Sequence, residues 1–482
     1  MSAFRVHMQR SARPGEAPGL WREAKLLRGR SPLARQENWV RHRASWLLVA
    51  LGVLSVGGYV AAVLLARPLG LAPMALHLGV FAFLFVLYLA ALRVSTSARP
   101  DRQTLGIIVA FALFFRLLML PTPVYLSSDP YRYLWDGRVQ LALVNPYRYS
   151  PAAPELASLR DAEVSPHINR PWARTVYPPA AQWLFALAAA IFPDTIVGWR
   201  LVLLLCDAAT VALLLWWLRR LNAPSTAVVA YAWAPLVVFE GAQAGHLDLA
   251  VIPVILLALA LRQAGASVGA GVVLGIAILM KLYPAIFLFA WGRRGDPKFP
   301  LTTATTVALG YLPYAASLGW GALGFLPEYL GRAEDHNIGL RALVEWVLRI
   351  EGEVGRGALL GAFFLLLLAV LVVIGRHRGE GAAALWRASF LAAGAYLTLV
   401  PTSMHPWYVV LIVPFLCTNP SLPWVFFTGV VTLSYAKYLV EPAAFPWWVW
   451  AGQYLPLYVL LLVAWYRLST RPLSVGLSLK AT

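Results

Sequence analysis

SWLLVALGVLSVGGYVAAVLLA, residues 45–66, carries no charged side chain over 22 positions. At about 1.5 Å per residue, a helix of that length spans the roughly 30 Å of a bilayer's hydrocarbon core. The preceding 43 residues are rich in arginine and poor in acids, with REAKLLRGR at 22–30 and RQENWVRHR at 35–43. The apolar run is too long for a signal-peptide core and lacks a small-residue cleavage pattern, so it reads as a retained span with its N-terminus in the cytoplasm. Comparable runs recur as far as residue 466, with gaps too short for a soluble domain. Of 482 residues, 60% are hydrophobic and 13% charged, against about a quarter charged in soluble proteins. The expected fold is therefore an all-α polytopic membrane protein, one membrane domain of about 11 to 14 transmembrane helices. The net charge of +18 sits in short clusters between apolar runs, which fits cytoplasmic retention and argues against nucleic acid. Cys206 and Cys417 both lie in apolar segments, so no disulfide framework is implied.

Charge parity sets the topology. Residues 45–66 run outward, 75–92 return to the basic RVSTSARPDR, and 104–120 run outward again, leaving 121–177 as a long outer loop. PPAAQWLFALAAAIF, 178–192, is short for a crossing, and a full span there would put Arg219 and Arg220 outside; it reads as an interfacial or re-entrant helix. Residues 199–218 then run inward, 226–240 outward to GAQAGHLD, and 249–261 inward to Arg262. GAGVVLGIAILMKLYPAIFLFAW, 269–291, has basic clusters at both ends and so needs an even number of crossings. This predicts an outward-facing break at residues 281–284, made by Pro284 with Lys281 as its polar tip. Beyond it, 321–341 forms a second outer loop, 357–374 return to RHRGEG, 385–400 run out to PTSMHPWY, and Arg467, Arg471 and Lys480 end inside. The outer loops thus collect Asp129, Asp136, His246, Asp248, Lys281, Glu334, Asp335, His336 and His405.

SSDPYRYLWDGRVQ, 127–140, is the densest of these segments. Asp129 reads as a helix N-cap with Pro130 at the first helical position. A helix to about residue 143 would align Asp129, Arg132, Tyr133 and Asp136 on one stripe, and Tyr131, Leu134, Trp135 and Arg138 on another. Such a helix suits the headgroup region, aromatics toward lipid and charges toward a cavity, with NPYRYSP at 145–151 stopping it and continuing extended. Each residue alone has a structural explanation: a cap, an Asp136–Arg132 pair, interfacial aromatics. Together with INRPWARTVYPP, 168–179, they suit a lipid-linked anionic substrate. Arg132, Arg138, Arg170 and Arg174 can bind phosphate, a carboxylate can serve as general base, and aromatics can stack on a sugar. Because a phosphate-linked leaving group departs as a stable anion, one base and cationic stabilisation suffice.

SDPYRYLWDGRVQLALVNPYRYSP with INRPWARTVYPPAAQ resembles the first outer loop of GT-C superfamily glycosyltransferases, in particular the polyprenyl-phosphate-mannose-dependent mannosyltransferases of prokaryotes. LLLCDAATVALLLWWLRRLNAP, with Cys206 and Asp207, is similar to a helix of the catalytic subunit of the GPI-anchor mannosyltransferase. GHLD, LGIAILMKLYP and HPWYVVLIVPF also resemble recurrent GT-C features, and the similarity covers about residues 115–416. It implies a GT-C-like bundle of about 11 to 14 transmembrane helices with a long catalytic outer loop carrying interfacial helices. The implied division is a basic segment 1–43, two additional helices in 44–103, a catalytic domain 104–467 with its outer loop at 121–177, and a tail 468–482.

The resemblance implies an inverting hexose transfer, most simply of mannose, from a polyprenyl-phosphate carrier to a lipid or glycan acceptor outside the cytoplasm. Its base is an aspartate of the first outer loop, Asp129 by best match and Asp136 second. Many relatives carry a D-x-D or E-x-D pair that can hold a divalent metal. Here position 131 is tyrosine, so that pair is incomplete; no cofactor is assigned and a divalent metal stays open. Carrier phosphate falls to Arg132, Arg138, Arg170, Arg174 and Lys281, with His405 on resemblance alone. Tyr131, Trp135 and Tyr147 would line the sugar or lipid path, and Asn145, Tyr177, His246 and Asp248 are further substrate-contact candidates. The implied location is a prokaryotic plasma membrane with the active site on its outer face, which the absence of an N-x-S/T sequon with x other than proline fits. Two rivals stand beside this. A transporter or lipid flippase would need ionisable residues at mid-membrane, where the chain has mainly Asp207. A non-catalytic membrane subunit would not need so charged a loop.

Overall fold

A computed structural model describes residues 32–66, 72–98, 101–331, 337–400, 403–439 and 445–469. The start of the basic leader, the C-terminal tail from 470, and Glu334, Asp335 and His336 lie outside the described residues. Among those described, the chain is helical with no β-strand: α1 Pro32–Leu65, α2 Ala72–Ser95, α3 Arg102–Met119, α4 Asp129–Leu141, α5 Pro179–Ile191, α6 Ile196–Arg220, α7 Asp248–Gln263, α8 Ser267–Met280, α9 Lys298–Leu318, α10 Leu340–Leu348, α11 Gly352–His377, α12 Ala382–Leu399, α13 Leu422–Val430 and α14 Trp447–Ser469, with short turns between. Among the described residues, seven helices are long and apolar enough to cross a membrane, or eight if Ser225–Ala232 and Pro235–Gln243, bent by 58°, form one broken span. That is fewer than about 11 to 14. Of the remaining apolar runs, α5, α8 and Pro406–Leu416 fall below crossing length, with proline opening α5, the second half of the bent pair, and Pro406–Leu416, whereas α9, at 21 residues, is long enough but not apolar enough to count.

Polar anchors fix the order of the spans. Asp101 caps α3 by accepting from the Thr104 amide at 2.8 Å, and Thr195 caps α6 by accepting from Gly198 at 3.2 Å. Within the bundle, Arg116 of α3 is paired with Asp207 of α6, whose Oδ1 also accepts from Tyr231 at 2.6 Å. Asp207 therefore faces a polar interior, as a carboxylate inside a span must. Arg200, buried on α6, donates to the Leu120 carbonyl at 2.8 Å, to Thr122 at 2.5 Å and to the Gln243 carbonyl. It gathers the exits of two segments under the long loop, satisfying carbonyls that have no helical partner.

The break at residues 281–284 is present. Lys281 is extended (φ −148°, ψ 151°) at the end of α8, and Tyr283–Ala285 forms a single 3-10 turn. The chain then returns to its starting level. Ser267 donates to Asp296 at 2.6 Å and Arg262 donates to the Trp291 carbonyl at 3.0 Å, so both ends of this excursion meet beside Arg262. Fourteen residues of α8 rise about 21 Å.

The long loop departs from expectation in three places. Helix α4 begins at Asp129 with Ser128 at the cap, so Asp129 is the first helical residue and its side chain is not spent on capping. Helix α4 also does not lie with its aromatics toward lipid: Leu134 and Trp135 are buried, because the turns Pro154–Leu159 and Ser165–His167 fold over the helix and α5 packs along it. At Gly137 an added Cβ would lie 2.4 Å from the Phe185 carbonyl oxygen, so only glycine permits this crossing. Third, α4 ends at Leu141, and residues 145–148 turn rather than extend, with the Asn145 side chain accepting from the Tyr147 amide at 3.1 Å and its carbonyl from Arg148 at 3.0 Å.

Candidate active site

A cavity of about 780 Å³ opens at the loop end of the bundle. Its first wall comes from the N-terminus of α4 and from residues 169–178, its second from the 281–286 break, and its third from residues 405–408 and 434–438. Asp129 lines it as the one carboxylate among the described residues, alongside Arg132, Arg170, Arg174, Lys281 and Lys437. Ile286, Phe364, Leu367 and Val400 give it an aliphatic side.

Asp129 is oriented by Asn169, whose Nδ2 donates to Oδ1 at 2.7 Å. Tyr177 stands beside it. Burial and the Asp129 carboxylate hold the Tyr177 phenol far above its ordinary range, so it remains a protonated donor. On the second wall, Lys281 donates to Asp248 at 2.5 Å and lies 5.0 Å from the ring centre of Tyr408. On the third, the Trp407 indole is sandwiched between His405 (4.2 Å, 3°) and buried His246 (3.9 Å, 20°). Glu240 Oε2 lies 2.9 Å from His246 Nδ1, and Tyr435 donates to Glu240 at 3.1 Å, locking this stack from behind. The geometry of GHLD depends on Gly245, at φ +74°, whose carbonyl accepts from Trp199 at 2.7 Å.

Of the sequence candidates, Asp129, Arg132, Arg170, Arg174, Tyr177, Lys281 and His405 thus share one cavity. Asp248 stands behind Lys281 and His246 behind Trp407. The others are elsewhere. Asp136 is buried, with Oδ1 accepting from Arg132 at 2.8 Å and Oδ2 from Thr175 at 2.6 Å and Gln182 at 3.0 Å. Arg138 binds Asp161 and Asp194 at 2.5 and 2.7 Å. Tyr131 stacks on His167 at 4.7 Å, Trp135 is core, and Asn145 donates to Ser317 at 3.1 Å. Tyr147 donates to the Tyr177 carbonyl at 2.8 Å, supporting a cavity residue without lining the space itself. Missed by sequence reasoning were Asn169, Trp407 and Lys437. A lysine inside the apolar, aromatic run SYAKYLV is the same signal that singled out Lys281.

No group of three or more His, Cys, Asp or Glu side chains converges among the described residues. Among the described lining residues Asp129 alone offers a carboxylate, so a divalent cation there would have to take its other oxygen ligands from substrate phosphate.

Fold and cavity define an integral membrane protein with a charged pocket at one end of its helices. Residues 37–293, more than half the chain, match the MptA_B family, alpha-(1->6)-mannopyranosyltransferase, N-terminal domain; the chain belongs to that family and is a mannosyltransferase of GT-C type. The match contains Asp129, Asp248 and Lys281 and begins ahead of α2, whereas the third wall of the cavity lies beyond it. No curated protein and no solved structure matches the chain.

Proposed function

We propose that this mannosyltransferase takes mannose from a polyprenyl-phosphate carrier and transfers it, with inversion, to a hydroxyl of a lipid or glycan acceptor on the outer face of a prokaryotic plasma membrane. The observation that carries this reading is the pairing of one carboxylate, Asp129, with several cationic side chains in a single cavity that also has an aliphatic side. The aliphatic side suits a prenyl chain, and the cations suit its phosphate. The arginine clusters at Arg219, Arg220 and Arg262 stand at the opposite ends of α6 and α7 from the cavity, which supports an outward-facing site.

In the reaction, the acceptor hydroxyl gives its proton to Asp129 as its oxygen bonds to the anomeric carbon of mannose. The bond from that carbon to the carrier's phosphate oxygen breaks with its electron pair, and polyprenyl phosphate leaves as an anion. Arg170, Arg174 and Lys281 stabilise the charge that collects on the phosphate. Asp248 holds Lys281 in place, and Arg132 ties the base-bearing helix to the loop through the Ala173 carbonyl at 3.1 Å. With inversion, an α-linked product requires a β-linked donor. Purified protein offered either polyprenyl-phosphate mannose or a nucleotide-linked mannose, with one acceptor lipid extract, tests the donor class. Transfer from the lipid-linked donor alone is expected, and transfer from the nucleotide sugar alone would overturn the reading.

A further inference from the structure

The third wall carries a cation with no part in the scheme above. Lys437 lies in the 3-10 segment Val431–Leu439 and lines the same cavity as Asp129. The segment is fixed from behind by Tyr435, two residues earlier, which donates to buried Glu240 at 3.1 and 3.3 Å. The other lining cations already have partners, Arg170 included. Arg132 binds Asp136 and Ala173, Arg174 donates to the Gly324 carbonyl at 3.2 Å and lies 3.7 Å from Glu328, and Lys281 binds Asp248. Among the described residues Lys437 has no hydrogen-bond or carboxylate partner; its ammonium lies 4.7 Å from the ring centre of Tyr438. Lys437 is half-buried at the cavity wall and no carboxylate among the described residues offsets its charge, so an anionic ligand can pair with it there. A lysine in that position presents a compact charge with three rotatable donors to an oxyanion.

We propose that Lys437 binds a phosphate group of a substrate in the transfer site, from the wall that lies outside the family match. The proposal rests on the reading of the cavity as a lipid-phosphate site. The phosphate has two sources, the carrier of the donor or an anionic headgroup on the acceptor, and both present the same oxyanion to Lys437.

The test uses the full-length protein in detergent, with Lys437→Gln and Lys437→Arg variants and thermal unfolding as the check on folding. Binding of farnesyl phosphate is compared with binding of farnesol, and KM is measured for donor and acceptor separately. Wild type should prefer the phosphate over the alcohol. Lys437→Gln should lose about tenfold of that preference or raise one substrate's KM by a similar factor, while Lys437→Arg retains most of it. A rise confined to the donor's KM assigns the carrier phosphate, and one confined to the acceptor's assigns its headgroup. Unchanged phosphate binding and unchanged KM values in folded Lys437→Gln would overturn the proposal and leave the cavity reading standing. A wild type that binds farnesol as well as farnesyl phosphate would overturn the cavity reading, and the Lys437 assignment with it.

Discussion

Asn169 donates from Nδ2 to Asp129 Oδ1 at 2.7 Å, and Oδ2 of the same carboxylate makes no hydrogen bond among the described residues. Asp129 is therefore aimed by one partner and open on its other oxygen, as a group that must accept a proton needs to be. Asp136, two turns later on α4, has both oxygens occupied by Arg132, Thr175 and Gln182. The two carboxylates differ in what they are free to do.

Asp136→Ala should destabilise the protein by about 3 kcal/mol or more, because it leaves Arg132 buried without its counter-charge. Asp129→Ala removes one partly exposed hydrogen bond and should cost about 1 kcal/mol. Thermal unfolding in detergent compares the two, and equal losses would contradict the division of roles.

Gly137→Val should disrupt the α4–α5 crossing, since the first added carbon meets the Phe185 carbonyl, which is backbone and cannot rotate away. The expected result is a clear fall in Tm and in monodisperse yield on size exclusion. A wild-type Tm would show that the two helices approach less closely.

Lys281→Ala should lower both stability and transfer, the first because it strands buried Asp248. Adding Asp248→Ala should restore much of the Tm and none of the transfer. Recovery of both in the double variant would make the pair structural only.

Asp161 provides the pH dependence. Burial alone would raise its carboxyl, but the Val164 and Ser165 amides and Arg138 outweigh it and bring the group from its ordinary 3.8 down to about 2. A lowered folded-state pKa contributes stability that is present above pH 3.8 and lost as pH falls toward about 2. The Tm difference between wild type and Asp161→Asn should therefore shrink across that window. A difference that stays constant from pH 5 down to pH 2 would contradict the assignment.

Much of this architecture was legible in charge and apolar length. The parity of Arg262 and the RRGDPK turn required an excursion and return, and the Ser267–Asp296 contact closes it. The count of spans was less legible, because proline divides apolar runs into short helices whose composition still resembles a crossing. In the loop, residue types were readable and partners were not. Arg138 and Arg174 look alike in sequence, yet Asp161 and Asp194 hold the first away from the cavity that the second lines. The burial of Trp135 was not legible because periodicity reports a stripe and not what covers the helix, which here is α5 together with the loop's own 3-10 turns. Lys437 was not legible because the residues that share its cavity, Asp129 and Lys281 among them, are far from it in the chain.

The proposed transfer turns on Asp129 as the base. The most direct measurement is mannose transfer from labelled polyprenyl-phosphate mannose by wild type and Asp129→Asn, each shown to be folded by its Tm and to bind the donor. Asp129→Asn should bind donor as wild type does and transfer mannose more slowly by a factor of about 100 or more. Transfer near the wild-type rate in folded Asp129→Asn would contradict it.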